Sequence, residues 1–269
     1  MCTIGVMRFV DGSYALFKNK DFGRPSFDDR IVIESSVFGV AGLVTWATDD
    51  ASLDEVSGFS IGVNAHGLLC CDASVRTLPD HANHDDLVEI ALREASDFVG
   101  AVEAVADAVA RQAYQWGNLV LIDKDLAGAI EVRGDRIEVV VNDGPTVRTN
   151  HHIALGATEG DNNMTTSQPR FDAARRRIDE VDSVGDLHDL LRSHDNGVDG
   201  ICAHGARQTV YSYVLHHDRN GTALSVTQGS PCETTSPLTM PVPLGGAWSP
   251  AEARAFRAAY PSSQATSVS

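Results

Sequence analysis

Cys2 is the first residue in the chain whose type and position suggest chemistry. Initiator methionine is readily removed before small side chains, and loss of Met1 would give Cys2 both a thiol and a free α-amine. An α-amine has an ordinary pKa of roughly 7.7 to 8 and a thiol one of roughly 8.5, so the amine can accept the thiol proton near neutral pH. Cys2 is thus a candidate nucleophile that carries its own base, although a cysteine at position 2 is incidental in most chains.

The charged segment Lys18-Asn19-Lys20-Asp21, at the end of the second predicted strand, is expected to lie beside Cys2. The segments Thr3 to Phe9 and Ser13 to Lys18 are typical of strands and flank an Asp-Gly turn, so the end of the second returns beside the start of the first. Asp21 is then placed to hold the ammonium group of Cys2, and Lys18 to favour the thiolate or position a substrate. Alternatively, both residues are ordinary surface charges at a strand end.

Ser60 is an alternative nucleophile. Gly58-Phe59-Ser60-Ile61-Gly62 fits the Gly-x-Ser-x-Gly elbow of serine hydrolases, which requires a strand that turns directly into a helix. Another strand follows Ser60 here, so a serine hydrolase is kept only as an alternative.

The ten histidines and five cysteines raise the question of a metal site. The pairs His151-His152, His216-His217 and Cys70-Cys71 lack the spacing of common zinc motifs, and adjacent residues of a strand point to opposite faces. We therefore expect neither a metal nor an organic cofactor. The alternative is a non-catalytic metal-binding protein that uses the histidines with Cys70, Cys71 and Cys202.

The elements that must position these residues are strands and helices in alternating groups. Such an order predicts an α+β fold with two antiparallel sheets covered by helices on their outer faces. We expect a single domain over residues 1–260 and a disordered tail over residues 261–269. The remaining predicted strands are Ile31 to Ser36, Val40 to Thr48, Phe59 to Val63, Leu68 to Cys71, Leu119 to Asp123, Ala127 to Val132, Ile137 to Val141, Gln208 to His217 and Thr222 to Gln228. The predicted helices are two between Asp85 and Gln115, then Phe171 to Val181, after a first-turn Pro169, Leu187 to Leu191 and Pro250 to Tyr260.

Composition limits the class of protein and its partners. The 269 residues are 43% hydrophobic, which is enough for a large core. A formal net charge of −16 repels phosphate backbones and anionic membranes, so neither nucleic acid nor a membrane surface is expected as a partner. Since no apolar run approaches the roughly 18 to 20 residues of a membrane span and no leader is evident, we expect a cytoplasmic protein with reduced thiols.

Several motifs taken together resemble the N-terminal-nucleophile (Ntn) hydrolases of the choloylglycine hydrolase and penicillin acylase group. Met1-Cys2-Thr3, Asp11-Gly12 and Lys18-Asn19-x-Asp21 match the start of those enzymes without a gap. Later segments are similar to the related acyl-CoA:6-aminopenicillanate acyltransferases, in the same order along the chain. These segments are Gly62 to Leu68, Thr149-Asn150-His151, Ser167 to Phe171 and Gly229 to Glu233.

The resemblance implies a four-layer αββα sandwich and a role for each matching residue. Cys2 would be nucleophile and base, Asp21 would hold its amine, Asn150 would donate a side-chain amide to the oxyanion hole, and Arg170 would support the site electrostatically.

Three further residues are expected on the substrate or oxyanion side of the site: Lys18, Ser74 and Asn64. Lys18 stands where bile-salt hydrolases usually carry arginine. Lysine keeps the positive charge of arginine but lacks its planar bidentate guanidinium. Ser74 stands where they carry an asparagine that acts largely through its backbone, so Ser74 can still supply that N–H.

The resemblance also implies the reaction. The Cys2 thiol would attack a linear, non-peptide amide of a small molecule, and the resulting thioester would be resolved by water or by an amine acceptor. An amidohydrolase and an N-acyltransferase both fit this scheme. The identity of the acyl group and a homo-oligomeric state are equally left open.

Overall fold

The computed structural model describes residues 1–23, 27–43, 55–78, 80–156, 164–242, 244 and 249–262. The predicted tail from residue 263 onward, and residues 44–48 of the predicted strand Val40 to Thr48, lie outside the described residues.

The described residues form two antiparallel sheets and five α-helices. The strands are β1 (Cys2–Arg8), β2 (Tyr14–Phe22), β3 (Ile31–Ile33), β4 (Val37–Leu43), β5 (Val56–Asn64), β6 (Leu69–Arg76), β7 (Tyr114–Ile122), β8 (Ala127–Gly134), β9 (Arg136–Val141), β10 (Thr146–Arg148), β11 (Gln208–Asp218), β12 (Gly221–Gln228) and β13 (Leu238–Val242). The helices are α1 (Asp85–Glu94), α2 (Phe98–Arg111), α3 (Met164–Ile178), α4 (Val184–Leu191) and α5 (Pro250–Ala259).

The two sheets are stacked between layers of helices. One sheet has six strands in the order β10-β1-β2-β11-β12-β13, and the other has seven in the order β3-β4-β5-β6-β7-β8-β9. An apolar core fills the space between the sheets, a second packs α1 and α2 on the outer face of the seven-stranded sheet, and a third packs α3 and α4 on the six-stranded sheet. The predicted α+β sandwich of two antiparallel sheets is therefore confirmed.

Strand β2 is buried along its whole length because both of its faces are covered. Alternate residues point to opposite sides of a strand. Leu16 contributes to the core between the sheets, and two residues later Lys18 contacts Ser60 of the opposite sheet. Phe17 lies in the core beneath α3 and α4, and Asn19 on the same side donates to the Leu191 carbonyl at the end of α4.

Helix α1 packs closely on β5 because two glycines leave room for it. Gly58 has a positive φ of 63°, and a Cβ there would lie 2.2 Å from the backbone carbon of Asp85. A Cβ on Gly62 would lie 2.8 Å from Leu92 Cδ1. The glycines of the Gly-x-Ser-x-Gly pattern thus serve helix–sheet packing, and β5 leads into β6 rather than into a helix.

The structure corrects the sequence-based elements in two places. Pro169 lies in the second turn of α3 rather than in its first, because Met164 and the four polar residues after it are already helical although they carry no apolar helical period. Strands β10 and β13 were not predicted. Each is a short edge strand whose pairing partner lies far along the chain or follows an irregular segment.

Candidate active site

The β1–β2 hairpin brings the predicted charged segment to Cys2. In the register of the two strands Cys2 lies opposite Lys20, and the Asp21 N–H donates to the Met1 carbonyl at 2.8 Å. The predicted return of this segment to the start of β1 is confirmed.

A cleft opens between the sheets at this end of β1. Both sheets contribute side chains to it, with Lys18 on β2 facing Ser60 on β5 and Asp72 on β6. The residues that line it are Met1, Cys2, Lys18, Lys20, Asp21, Phe22, Leu43, Ser60, Asp72, Ser74, His84, Asp85, Asn150 and Arg207. The cleft therefore brings together five of the seven predicted site residues.

Asn150 and Arg170 hold the backbone of Cys2. The Cys2 N–H donates to Asn150 Oδ1 at 2.8 Å, and Arg170 Nη2 donates to the same oxygen at 2.8 Å. Arg170 Nη1 also donates to the Cys2 carbonyl at 2.6 Å. Asn150 Nδ2 donates one N–H to the Ser74 carbonyl at 2.6 Å, and among the described residues no other acceptor takes its second N–H. Arg170 thus lies directly behind the cleft lining and Asn150 lies within it.

Asp21 has an unpaired carboxylate oxygen beside the start of the chain. Its Oδ1 accepts from Thr209 Oγ1 at 2.8 Å, whereas its buried Oδ2 has no hydrogen-bond partner among the described residues. Burial raises the pKa of Asp21, and the nearby terminal ammonium and Arg170 oppose that shift. A buried oxygen without a donor is costly, so this position favours an additional ammonium or N–H donor.

Met1 lines the cleft beside these groups. Its α-amine donates to the Asp21 carbonyl at 2.8 Å, and burial lowers the pKa of that amine from 8.0 to about 6. Its Sδ accepts from Thr166 Oγ1 at 3.1 Å. The Cys2 nitrogen is an amide in this form of the chain, and Met1 must leave before that nitrogen can act as a base.

Lys18 is buried and tied to the floor of the cleft. Its Nζ donates to Ser60 Oγ at 2.6 Å and lies 2.8 Å from Asp72 Oδ1. Burial by itself lowers the pKa of Lys18, but the adjacent Asp72 carboxylate outweighs it and the pKa is raised from its ordinary value. Lys18 therefore stays protonated and cannot act as a base for Ser60.

Asp72, His84 and Asp85 are cleft residues that sequence reasoning missed. His84 Nε2 lies 2.7 Å from Asp72 Oδ2, which lets Asp72 bridge His84 and Lys18. Burial, and then the Asp72 charge, raises the pKa of Asp85 to about 7. Asp85 is the first residue of α1. Acidic residues are common at the start of a helix, so nothing in the sequence assigned Asp85 to a functional site.

The structure does not bring Asn64 to the cleft. Its Nδ2 donates to the carbonyls of Leu92 and Ala95, and its Oδ1 accepts from the N–H groups of His66 and Leu68. Both donors and both acceptor positions of the side chain are used, so Asn64 fixes the turn after β5 and the end of α1.

Cys70, Cys71 and Cys202 do not converge. Cys70 packs in the core beneath α1 and α2, and Cys71, on the opposite face of β6, packs in the core between the sheets. Burial raises the pKa of both thiols well above the ordinary range. The metal-binding alternative that combined these two cysteines with Cys202 has no common site among the described residues.

Comparison with known proteins finds structures of the same fold but no match at the level of sequence. No protein-family model and no curated protein sequence matches the chain. Two structures of conjugated bile acid hydrolase from Clostridium perfringens, one a mutant and one a variant, superpose with a TM-score of 0.56 at 15% identity over 92% of this chain and 95% of theirs. The Caenorhabditis elegans ortholog of N-acylethanolamine-hydrolyzing acid amidase superposes with a TM-score of 0.52 at 13% identity over 80% of this chain and 92% of its own.

These similarities define the class of fold. The chain has the two-sheet sandwich of the Ntn hydrolases, and the expected resemblance to that group is confirmed at the level of fold. None of the helices in the described ranges has the length and apolar character needed to cross a membrane.

Proposed function

We propose that the chain, after removal of Met1, cleaves or transfers the acyl group of a linear small-molecule amide through a thioester on Cys2. The observation that most supports this proposal is the pair of contacts that Asn150 Oδ1 makes with the Cys2 N–H and Arg170 Nη2, both at 2.8 Å. Those contacts would orient the freed amine, while the unpaired Asp21 Oδ2 would accept one of its new N–H groups.

The proposed mechanism uses one residue as nucleophile and base. The Cys2 amine takes the thiol proton as Sγ bonds to the carbonyl carbon, and the second Nδ2 N–H of Asn150 stabilises the oxyanion. The C–N bond then breaks, and the ammonium returns its proton to the leaving amine. Water or an amine acceptor attacks the thioester, the α-amine again removes a proton, and the C–S bond breaks to restore the thiol.

The names of the structural neighbours agree with amide chemistry. One is a hydrolase of conjugated bile acids and another is an acid amidase for N-acylethanolamines. Serine catalysis receives less support, because Ser60 Oγ contacts a Lys18 ammonium that stays protonated.

The first test is intact-mass analysis with a panel of linear acyl amides and a thiol alkylator. We expect the active protein to lack Met1, to take up one alkyl group at Cys2 and to lose activity in proportion. Cys2→Ala should be folded and inactive, whereas Ser60→Ala should still form an acyl-enzyme. Activity in a chain that retains Met1, or in Cys2→Ala, would refute the proposal.

Asn150→Ala tests the oxyanion donor separately. Loss of one such donor lowers kcat by roughly 100- to 1,000-fold. Asn220→Ala, in the exposed turn before β12, is the matched control and should retain kcat. An Asn150→Ala enzyme with unchanged kcat would remove Asn150 from the mechanism.

Hydrolysis and transfer are separated by competition. Added amines of increasing nucleophilicity should divert the acyl group to a new amide if the enzyme is a transferase. A product ratio that stays at free acid at all amine concentrations identifies a hydrolase.

A further inference from the structure

Four metal-binding side chains converge on the far side of β2 from Lys18. They are His194, Cys202, His204 and Cys232, and their nitrogen and sulfur atoms all lie within 4.8 Å of one another. Three come from the loop between α4 and β11, and Cys232 comes from a single 3-10 turn after β12. Their spacing along the chain matches no common zinc motif, which is why the sequence alone predicted no metal.

The contacts within this cluster exceed what hydrogen bonding can satisfy. His204 Nε2 lies 3.2 Å from His194 Nε2, 3.5 Å from Cys202 Sγ and 3.2 Å from Cys232 Sγ. A ring nitrogen carries either one proton or one in-plane lone pair, so it makes one good hydrogen bond. Three such neighbours around one nitrogen are instead typical of ligands that share a metal ion.

We propose that His194, Cys202, His204 and Cys232 bind one zinc ion with tetrahedral geometry. Zinc–nitrogen bonds of about 2.0 Å and zinc–sulfur bonds of about 2.3 Å give tetrahedral ligand separations of about 3.3 Å between nitrogens and about 3.5 Å between nitrogen and sulfur. The three separations from His204 Nε2, 3.2 Å to nitrogen and 3.5 and 3.2 Å to sulfur, lie within about 0.3 Å of these values.

Charge and coordination number indicate a structural ion. Two thiolates balance the two positive charges of zinc, so the partly buried cluster carries no net charge once it is loaded. Since the protein supplies all four ligands, no position stays open for water or substrate, which is the pattern of a structural zinc site.

The ion would fasten the loop that supports Asp21. The N–H of Ala203, between two of the ligands, donates to Thr209 Oγ1 at 2.9 Å, and that hydroxyl donates to Asp21 Oδ1 at 2.8 Å. Asn19 Nδ2 also donates to the Ile201 carbonyl at 2.8 Å. Zinc would therefore hold the loop against β2 without touching a reacting atom.

The test is the metal content and metal spectrum of untagged, reduced full-length protein. We expect one zinc per chain, and after exchange with cobalt we expect the thiolate-to-cobalt charge-transfer band and the intense visible bands of tetrahedral cobalt. Chelation should lower the Tm, because bound metal stabilises the folded state.

Two variants that remove partly accessible ligands locate the site. Cys232→Ser and His194→Ala should each weaken zinc binding by more than about 100-fold, beyond what loss of an outer-shell partner costs. The exposed His66→Ala is the matched histidine control and should keep its zinc.

Cys2→Ala should also keep the zinc, which separates this proposal from the proposed activity. Reduced wild-type protein that takes up neither zinc nor cobalt would overturn the proposal. So would zinc that is retained in both ligand variants, or a disulfide between Cys202 and Cys232 in protein purified under reducing conditions.

Discussion

Single residues in the floor of the cleft are held by electrostatics in a buried environment. Lys18 Nζ meets four acceptors, two of Ser60 and two of Asp72, each at 2.9 Å or less. Such a network is stable as a whole, but removing one charge leaves its partner buried and uncompensated. The Lys18–Asp72 pair is therefore expected to matter more for folding than an exposed ion pair would.

Lys18→Met tests this dependence. We expect the free energy of unfolding to fall by about 3 kcal/mol or more, since Asp72 loses its principal counter-charge. Urea denaturation measures the change. Lys124→Met is the matched control, because exposed Lys124 lies 3.8 Å from Asp125 and should shift stability by less than about 0.5 kcal/mol.

Asp85→Asn tests the raised carboxyl pKa. Because its folded pKa of about 7 exceeds the ordinary 3.8, the contribution of Asp85 to stability is complete below about pH 4 and is lost as the pH rises through about 7. Asparagine mimics the protonated carboxyl, so the stability of the variant relative to wild type should rise by about 3 kcal/mol between about pH 5 and about pH 9. Denaturation at several pH values measures it, and a constant difference would show that Asp85 does not titrate in this range.

Elements are positioned by close backbone approach as much as by apolar side chains. Gly58 has a positive φ and faces the backbone at the start of α1, which carries Asp85 into the cleft. The helix and β5 therefore share one fitted interface.

Gly58→Ala should disturb that interface. Overpacking a fitted interface typically costs about 1 to 3 kcal/mol, and the positive φ adds backbone strain. We therefore expect the free energy of unfolding to fall by about 2 kcal/mol. Gly144→Ala, where a Cβ meets nothing within 4 Å, should be close to neutral. Equal stabilities for the two variants in thermal denaturation would contradict the packing argument.

Local patterns were sufficient to predict most elements and the hairpin that presents Cys2 to Asp21. Alternation and turn chemistry are local properties, and the β1–β2 register follows from them. The floor of the cleft depends instead on contacts between β2, β6 and α1. Lys18 and Asp72, for example, are more than 50 positions apart in the sequence. The sequence did not predict the proposed zinc ligands for the same reason, because only tertiary folding brings Cys232 to His204.

The molecule as a whole carries an excess of negative charge. Its formal charge of −16 disfavours the compact state through self-repulsion, which dissolved salt screens. Raising sodium chloride from about 0.05 M to about 0.5 M should therefore raise the Tm by about 2 to 4 °C. Replacing exposed Glu103 and Glu138 by lysine should reduce this salt dependence, and a Tm that does not respond to salt would show that the acidic surface is stability-neutral.

Met1 in the cleft affects how any preparation of this protein would behave in kinetics. Met1 lines the cleft beside Cys2 and its amine is buried next to Asp21, so under the mechanism proposed above an unprocessed chain would be folded and inactive. A preparation with mixed amino termini would then give kcat values that scale with the processed fraction, while KM stays constant. The burst amplitude per chain would measure the fraction of processed molecules directly. Protein overexpressed faster than the cellular aminopeptidase can process it would have an apparently low kcat.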